Sequence, residues 1–215
     1  MAHPLFTHID NFNSWANGVP HNEAERGDDW ECHYPEWADI YTGFEILLQT
    51  EDVDRLSPAQ INRLFYIIAR DNESEVLADI LTEFPPAFAT FAKLAAGTKH
   101  NQTKWQLAAR LPLLPAEFEP VALLEPFVND ADEYVSRRAL MALANVEAEK
   151  TEHYCEKFWH RQKPNNEHCE HQRMAVLFAL KTIQSPRLKH FLSLAKQDDR
   201  QHLLAKAMEI ENEIG

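Results

Sequence analysis

Residues 135–143, VSRRALMAL, match residues 172–180, QRMAVLFAL, at an offset of 37, and residues 105–113, WQLAARLPL, match the first of these at an offset of 30. Each stretch sets small residues among large apolar ones at helical spacing, as an amphipathic helix against a core requires. Helix units that recur every ~30 to 40 residues mark a solenoid, in which each unit buries its apolar face against the next.

The same grammar runs from Ser57 onward. Ser57, Pro58 and Gln60 read as N-cap, N1 and N3 of a capping box, leading into Ile61, Leu64, Phe65 and Ile68. Asp71 and Asn72 interrupt the pattern before Val76, Leu77, Ile80, Leu81 and Phe84. Pro85 and Pro86 end that stripe, because the residue before a proline avoids the helical region. Phe88, Phe91, Leu94 and Ala95 form the next stripe, closed by Gly97 at a C′ position. Seven further stripes follow, around Trp105, Val121, Val135, Tyr154, Met174, Leu188 and Leu203, so about ten helices are predicted from Ser57 on. Only 5 glycines in 215 residues argue against a turn-rich β-sandwich or barrel.

The stretch from Asp130 to Leu143, an Asp-bearing turn followed by Val135, Arg137 and a small–large apolar helix, resembles a HEAT-type repeat. The resemblance is good over 117–213 and loose over 57–116. It implies an all-α, right-handed α-α superhelix and a role in binding other macromolecules. Residues 1–56 differ: helices are predicted from Pro4 to Ala16 and from Pro35 to Gln49, with a polar, acidic stretch between them. Three of the five tryptophans, Trp15, Trp30 and Trp37, lie here, and large aromatics seek burial. This segment is expected to form an irregular helical cap on the first repeat, with 57–215 as the repeats of one continuous domain.

Charge divides unevenly. Residues 1–98 hold 5 Lys and Arg against 17 Asp and Glu, whereas residues 99–215 hold 16 against 17. Nearly all of the net charge of −13 thus lies in the first half, where a sustained negative field would attract a cationic partner. The candidate partner-binding residues are Asp28, Asp29, Trp30 and Glu31 in the N-terminal loop, Glu51, Asp52 and Asp54 before Ser57, and Asp71, Glu73 and Glu75. A basic protein is the partner expected, and an immunity-type inhibitor of a bacterial toxin is one concrete form.

Other chemistry has less support. His153, Cys155, His160, His168, Cys169 and His171 fall within 19 residues, but only His168 and His171 share a helical i, i+3 face, so no metal or other cofactor is expected. The sequence lacks G-x-S-x-G, P-loop and G-x-G-x-x-G motifs, so no enzyme is expected. Arg110, Arg137, Arg138 and Arg173 recur near equivalent repeat positions and could track phosphates; a ladder to a neighbouring Asp, here Asp130 or Asp132, is favoured. His153, Lys157, His160, Arg161 and Lys163, interleaved with Tyr154 and Trp159, form the alternative, a nucleic-acid surface. The helical-repeat resemblance lends this some weight, because that class includes glycosylases for alkylated DNA bases, yet a sequence pI near 5.2 opposes it. No apolar run is long enough to cross a bilayer, no signal peptide is evident, and three widely spaced cysteines suit a reducing cytoplasm.

Overall fold

Prolines and polar caps set the helix boundaries. The computed structural model describes residues 3–20, 27, 29–161, 166–198 and 200–214, and among them the fold is all-α, with twelve α-helices and no strand. Contacts divide the chain into two units, Met1–Phe118 and Glu119–Gly215.

The first unit contains α1 (Pro4–Ala16), α2 (Trp37–Thr50), α3 (Pro58–Arg70), α4 (Val76–Thr82), α5 (Pro85–Ala95) and α6 (Asn101–Arg110). The capping box predicted for α3 is present: Gln60 N–H donates to Ser57 Oγ at 3.3 Å, and Ser57 N–H donates to Gln60 Oε1 at 2.9 Å. The stripe expected to reach Leu114 stops as an α-helix at Arg110, and Leu111–Leu113 tightens to a 3-10 turn. Pro112 has no N–H to offer the Ala108 carbonyl, so the wider helix cannot continue.

Helix α1 packs on α2 and α3, α3 packs on α6, and α4 touches α2, α5 and α6. The α1–α2 approach is close: a Cβ at Gly43 would lie 3.3 Å from Leu5 Cα. Aromatic rings fill the space below, with Phe12 centred 5.0 Å from Tyr34 and Trp15 stacked on Trp30 at 5.7 Å. Trp30 is buried, while Trp15 and Trp37 are half-buried.

The second unit contains α7 (Pro120–Val128), α8 (Glu133–Leu143), α9 (Ala148–His160), α10 (Asn166–Thr182), α11 (Leu188–Lys196) and α12 (Gln201–Ile214). Alternate helices meet in series: α8 packs on α10 and α10 on α12, with α7, α9 and α11 each against a neighbour in that row. Val135, Ala139, Leu140 and Leu143 of α8 are fully buried, and Val176, Leu177 and Leu180 of α10 match them.

Side chains from one helix satisfy backbone groups at the ends of another. Gln106 Nε2 donates to the Ile68 carbonyl at 2.9 Å, closing the last turn of α3. Gln172 Nε2 reaches the Phe158 and Arg161 carbonyls at the end of α9. Glu170 Oε1 accepts from Leu203 N–H at 2.9 Å in the first turn of α12. Such groups lack the regular partner of a helix interior, and among the described residues the Ile68 and Phe158 carbonyls otherwise receive only a cap N–H, from Asp71 at 3.2 Å and Arg161 at 3.3 Å.

The arginine ladder is present in kind, with different rungs. Arg110 bridges Glu75 at 2.5 Å and Asp79 at 2.6 Å, and Arg173 meets Asp198 at 2.6 Å. Arg137 does not reach a neighbouring turn. Its Nε donates to Glu133, one turn back on its own helix, at 2.9 Å. Asp132 caps α8 by accepting from Val135 N–H, and Asp130 accepts from Asp132 N–H. Arg200 joins Arg173 at Asp198, and these donors hold that carboxyl well below the usual carboxylate range.

Asp71 is the buried junction of the first unit. Its Oδ1 accepts from the Tyr41 hydroxyl at 2.9 Å, and its Oδ2 accepts from Leu77 N–H at 2.7 Å. Burial raises its pKa from 3.8 to about 6, and the two donors only partly oppose that shift. A carboxyl with a raised folded-state pKa takes up a proton on folding, so its stabilising contribution is full below pH 3.8 and falls as pH rises to about 6. Asp71→Asn removes this titration. In urea unfolding the variant should gain on wild type across that window and hold a constant offset above it. The opposite slope would mean that the two donors keep the carboxylate ionised.

Candidate partner-binding groove

Between α2 and α3 the chain makes one short 3-10 turn, Val53–Arg55, whose start is fixed by Asp52 Oδ1 accepting from Asp54 N–H at 3.1 Å. Leu56 returns the backbone to an extended conformation before Ser57 opens α3. Val53 points into the core, and Asp54 points outward to accept from Thr90 Oγ1 of α5 at 3.3 Å. That contact is a ridge with a hollow on either side.

The larger hollow, about 630 Å³, lies between the 3-10 turn, the first half of α3 and the second half of α5. Val53, Leu56, Ile61, Phe65 and Leu94 supply its apolar walls, and Asn62, Lys93 and Thr98 line it too. The smaller hollow, about 420 Å³, has Leu48, Phe84, Pro85 and Pro86 among its walls. Glu51, Asp52, Asp54 and Glu83 line it too, all four exposed. Asp52 is paired with Arg55 at 3.3 Å, a contact worth little because the Arg55 side chain is 85% exposed. Glu51, Asp54 and Glu83 form no ion pair among the described residues. Val53, Asp54 and Thr90 line both hollows, which therefore make one groove.

Three of the ten predicted partner-binding residues, Glu51, Asp52 and Asp54, thus line one hollow. The others separate. Asp28 lies outside the described residues. Asp29 and Glu73 are exposed elsewhere, near Cys32, whose thiol is pushed up first by burial and then by these carboxylates. Trp30 is buried, as a large aromatic should be, and Glu31 is buried with it, so neither is open to a partner: Trp30 stacks on Trp15, and Glu31 meets Arg70 at 3.1 Å. Asp71 is likewise consumed by the fold, because the first turn of α4 needs an acceptor for Leu77 N–H. Glu75 takes a left-handed φ of 55° and binds Arg110.

Two groove residues escaped the sequence reading. The apolar stripe of α5 predicts a buried Leu94, yet it is 46% exposed. At 100° per residue it falls well off the face set by Phe88, Phe91, Ala92 and Ala95. Glu83 belongs to no acidic run, and its position before the Phe84–Pro85 break was the available signal.

The alternative surface is electrostatically mixed. His160 Nε2 lies 3.1 Å from Glu156, which also pairs with Arg187, the main cause of its lowered pKa. Arg161 donates to the Asp130 carbonyl at 3.0 Å, and Lys157 sits over the Tyr154 ring at 5.2 Å. His153 is exposed, and Lys163 lies outside the described residues. Cys155 is buried, with its thiol pushed up to about 12 by burial, and Cys169 is half-buried. Among the described residues, no three His, Cys, Asp or Glu side chains converge to hold a metal ion, and no helix is long and apolar enough to cross a membrane.

Comparison of the chain with protein-family models, curated proteins and solved structures finds no significant match.

The groove floor and its rim should respond differently to substitution. Phe65→Ala, which empties a buried position, should cost about 3–5 kcal/mol in urea unfolding. Leu94→Gln should stay within about 0.5 kcal/mol of wild type. A large loss for Leu94→Gln would show that the exposed leucine is needed by the fold.

Proposed function

We propose that this chain is a non-catalytic, cytoplasmic protein-binding module with a HEAT-like, right-handed solenoid architecture, and that it engages a basic protein partner through the acidic groove of its first unit. The observation that carries this is the state of Glu51, Asp54 and Glu83. They face solvent around one hollow and form no ion pair among the described residues, whereas Glu31, Glu75, Glu133 and Asp198 are held by arginines. A carboxylate group left unneutralised beside an apolar floor offers charge-assisted hydrogen bonds to incoming guanidinium or ammonium groups. The first unit as a whole holds 8 Lys and Arg against 18 Asp and Glu, which strengthens long-range attraction of a cation.

The repeat matches at 105, 135 and 172, and the serial packing of α8, α10 and α12, support the HEAT-like part of this reading. An immunity-type inhibitor that covers the cationic face of a toxin is the form that best fits its size and acidity. Nucleic-acid binding through the second unit draws less support, since Glu156 sits among its cations.

The test uses the full chain as bait in native lysate at low salt, beside the triple variant Glu51→Gln/Asp54→Asn/Glu83→Gln. A basic protein should be enriched on wild type, released as salt rises, and absent from the variant. Equal recovery on both baits, or recovery insensitive to salt, overturns the proposal.

A further inference from the structure

We infer that the groove recognises a paired signal, one arginine or lysine together with one large apolar side chain on the same short segment of the partner protein. This rests on the protein-binding reading above and narrows it. The two hollows share Val53, Asp54 and Thr90 but differ in charge, because Glu51, Asp52 and Glu83 add three carboxylates to the smaller and Lys93 adds a cation to the larger. A single stretch of chain laid across the Asp54–Thr90 ridge therefore presents one side chain to each.

The smaller hollow suits a long cation. Leu48, Phe84 and Pro85 offer apolar surface to a methylene stem, and Glu51, Asp52 and Glu83 receive the charged head. Because these carboxylates do not converge on a point, they match the spread donors of a guanidinium or ammonium group better than a bare metal ion. A phosphate-bearing ligand, whether nucleic acid or lipid headgroup, would meet repulsion there.

The larger hollow suits an apolar anchor. Ile61 and Phe65 form its floor and Leu94 stands 46% exposed beside it, a large apolar side chain left facing water. Its volume of about 630 Å³ exceeds that of the acidic hollow, leaving room for a leucine, phenylalanine or tryptophan and some backbone. Anchors of this kind, seated in a pocket beside a charged contact, carry most of the affinity at protein interfaces.

Selection of a random peptide library displayed on phage tests the pairing, with full-length wild type, Leu94→Gln and Glu51→Gln/Asp52→Asn/Glu83→Gln as baits. All four substituted positions are exposed, so the fold should persist, and thermal melting of each variant verifies it. Wild type should enrich sequences with Arg or Lys at a constant separation from Leu, Ile, Phe, Met or Trp. Leu94→Gln should lose the apolar preference and keep the cation; the acid variant should do the reverse. A synthetic peptide of the selected sequence, followed by fluorescence anisotropy, should bind each variant about tenfold more weakly than wild type. Enrichment of cations alone, unaffected by Leu94→Gln, overturns the pairing and leaves the basic-partner reading standing. Absence of any cation preference overturns both. If the groove is covered by a second copy of this chain, sedimentation shows a dimer that Leu94→Gln dissociates, with no peptide enriched, and the pairing is likewise overturned.

Discussion

Short helices joined by tight turns leave many backbone groups at their ends without partners, and meeting that demand governs this molecule. An α-helix supplies no acceptor for its first four N–H groups and no donor for its last four carbonyls. With helices of 7 to 17 residues, those groups are a large share of every helix. Water cannot reach the buried ones, so side chains from adjacent helices must. Gln106, Gln172, Glu170 and Asp71 do this work, and each is buried. These contacts also fix how neighbouring helices sit, because a side chain holding a carbonyl across an interface tolerates little sliding.

That demand accounts for what the sequence revealed and what it hid. Helix number and spacing were legible, because capping boxes, prolines and apolar periodicity are local. The ten helices expected from Ser57 onward are all present. The polar cross-links were not. The repeat alignment sets Gln106 opposite Arg173, yet the glutamine that resembles it in action is Gln172, one position earlier. A shift of one residue turns a side chain by about 100° around its helix, which is invisible to an alignment driven by apolar pattern. The arginine ladder failed at Arg137 for a related reason: Glu133 is one turn back on the same face and captures it first.

The candidate site was partly legible. Acidic runs flagged Glu51, Asp52 and Asp54, but the same rule flagged Glu31, Asp71 and Glu75, which the fold consumes. What separates these groups is the distance to an arginine or an orphaned N–H on a residue far away in the chain. Arg70 lies 39 positions from Glu31, and Arg110 lies 35 from Glu75. The apolar half of the groove was hidden differently, since Leu94 fits a loosely drawn helical stripe and betrays itself only by exposure.

The division of acidic residues into structural and available ones then follows from stoichiometry. In the first unit carboxylates outnumber Lys and Arg by more than two to one, so pairing cannot neutralise them all whatever the geometry. Two of the unit's arginines compensate a buried or half-buried acid, Arg70 for Glu31 and Arg110 for Glu75, while Arg55 and Arg63 pair with the exposed Asp52 and Asp10. The surplus must face water. Surplus charge spread evenly would only raise solubility. Three carboxylates without an ion pair among the described residues, Glu51 at the end of α2, Glu83 at the end of α4 and Asp54 on the turn that Asp52 and Thr90 hold, instead form a localised demand for a cation at a hollow with an apolar neighbour.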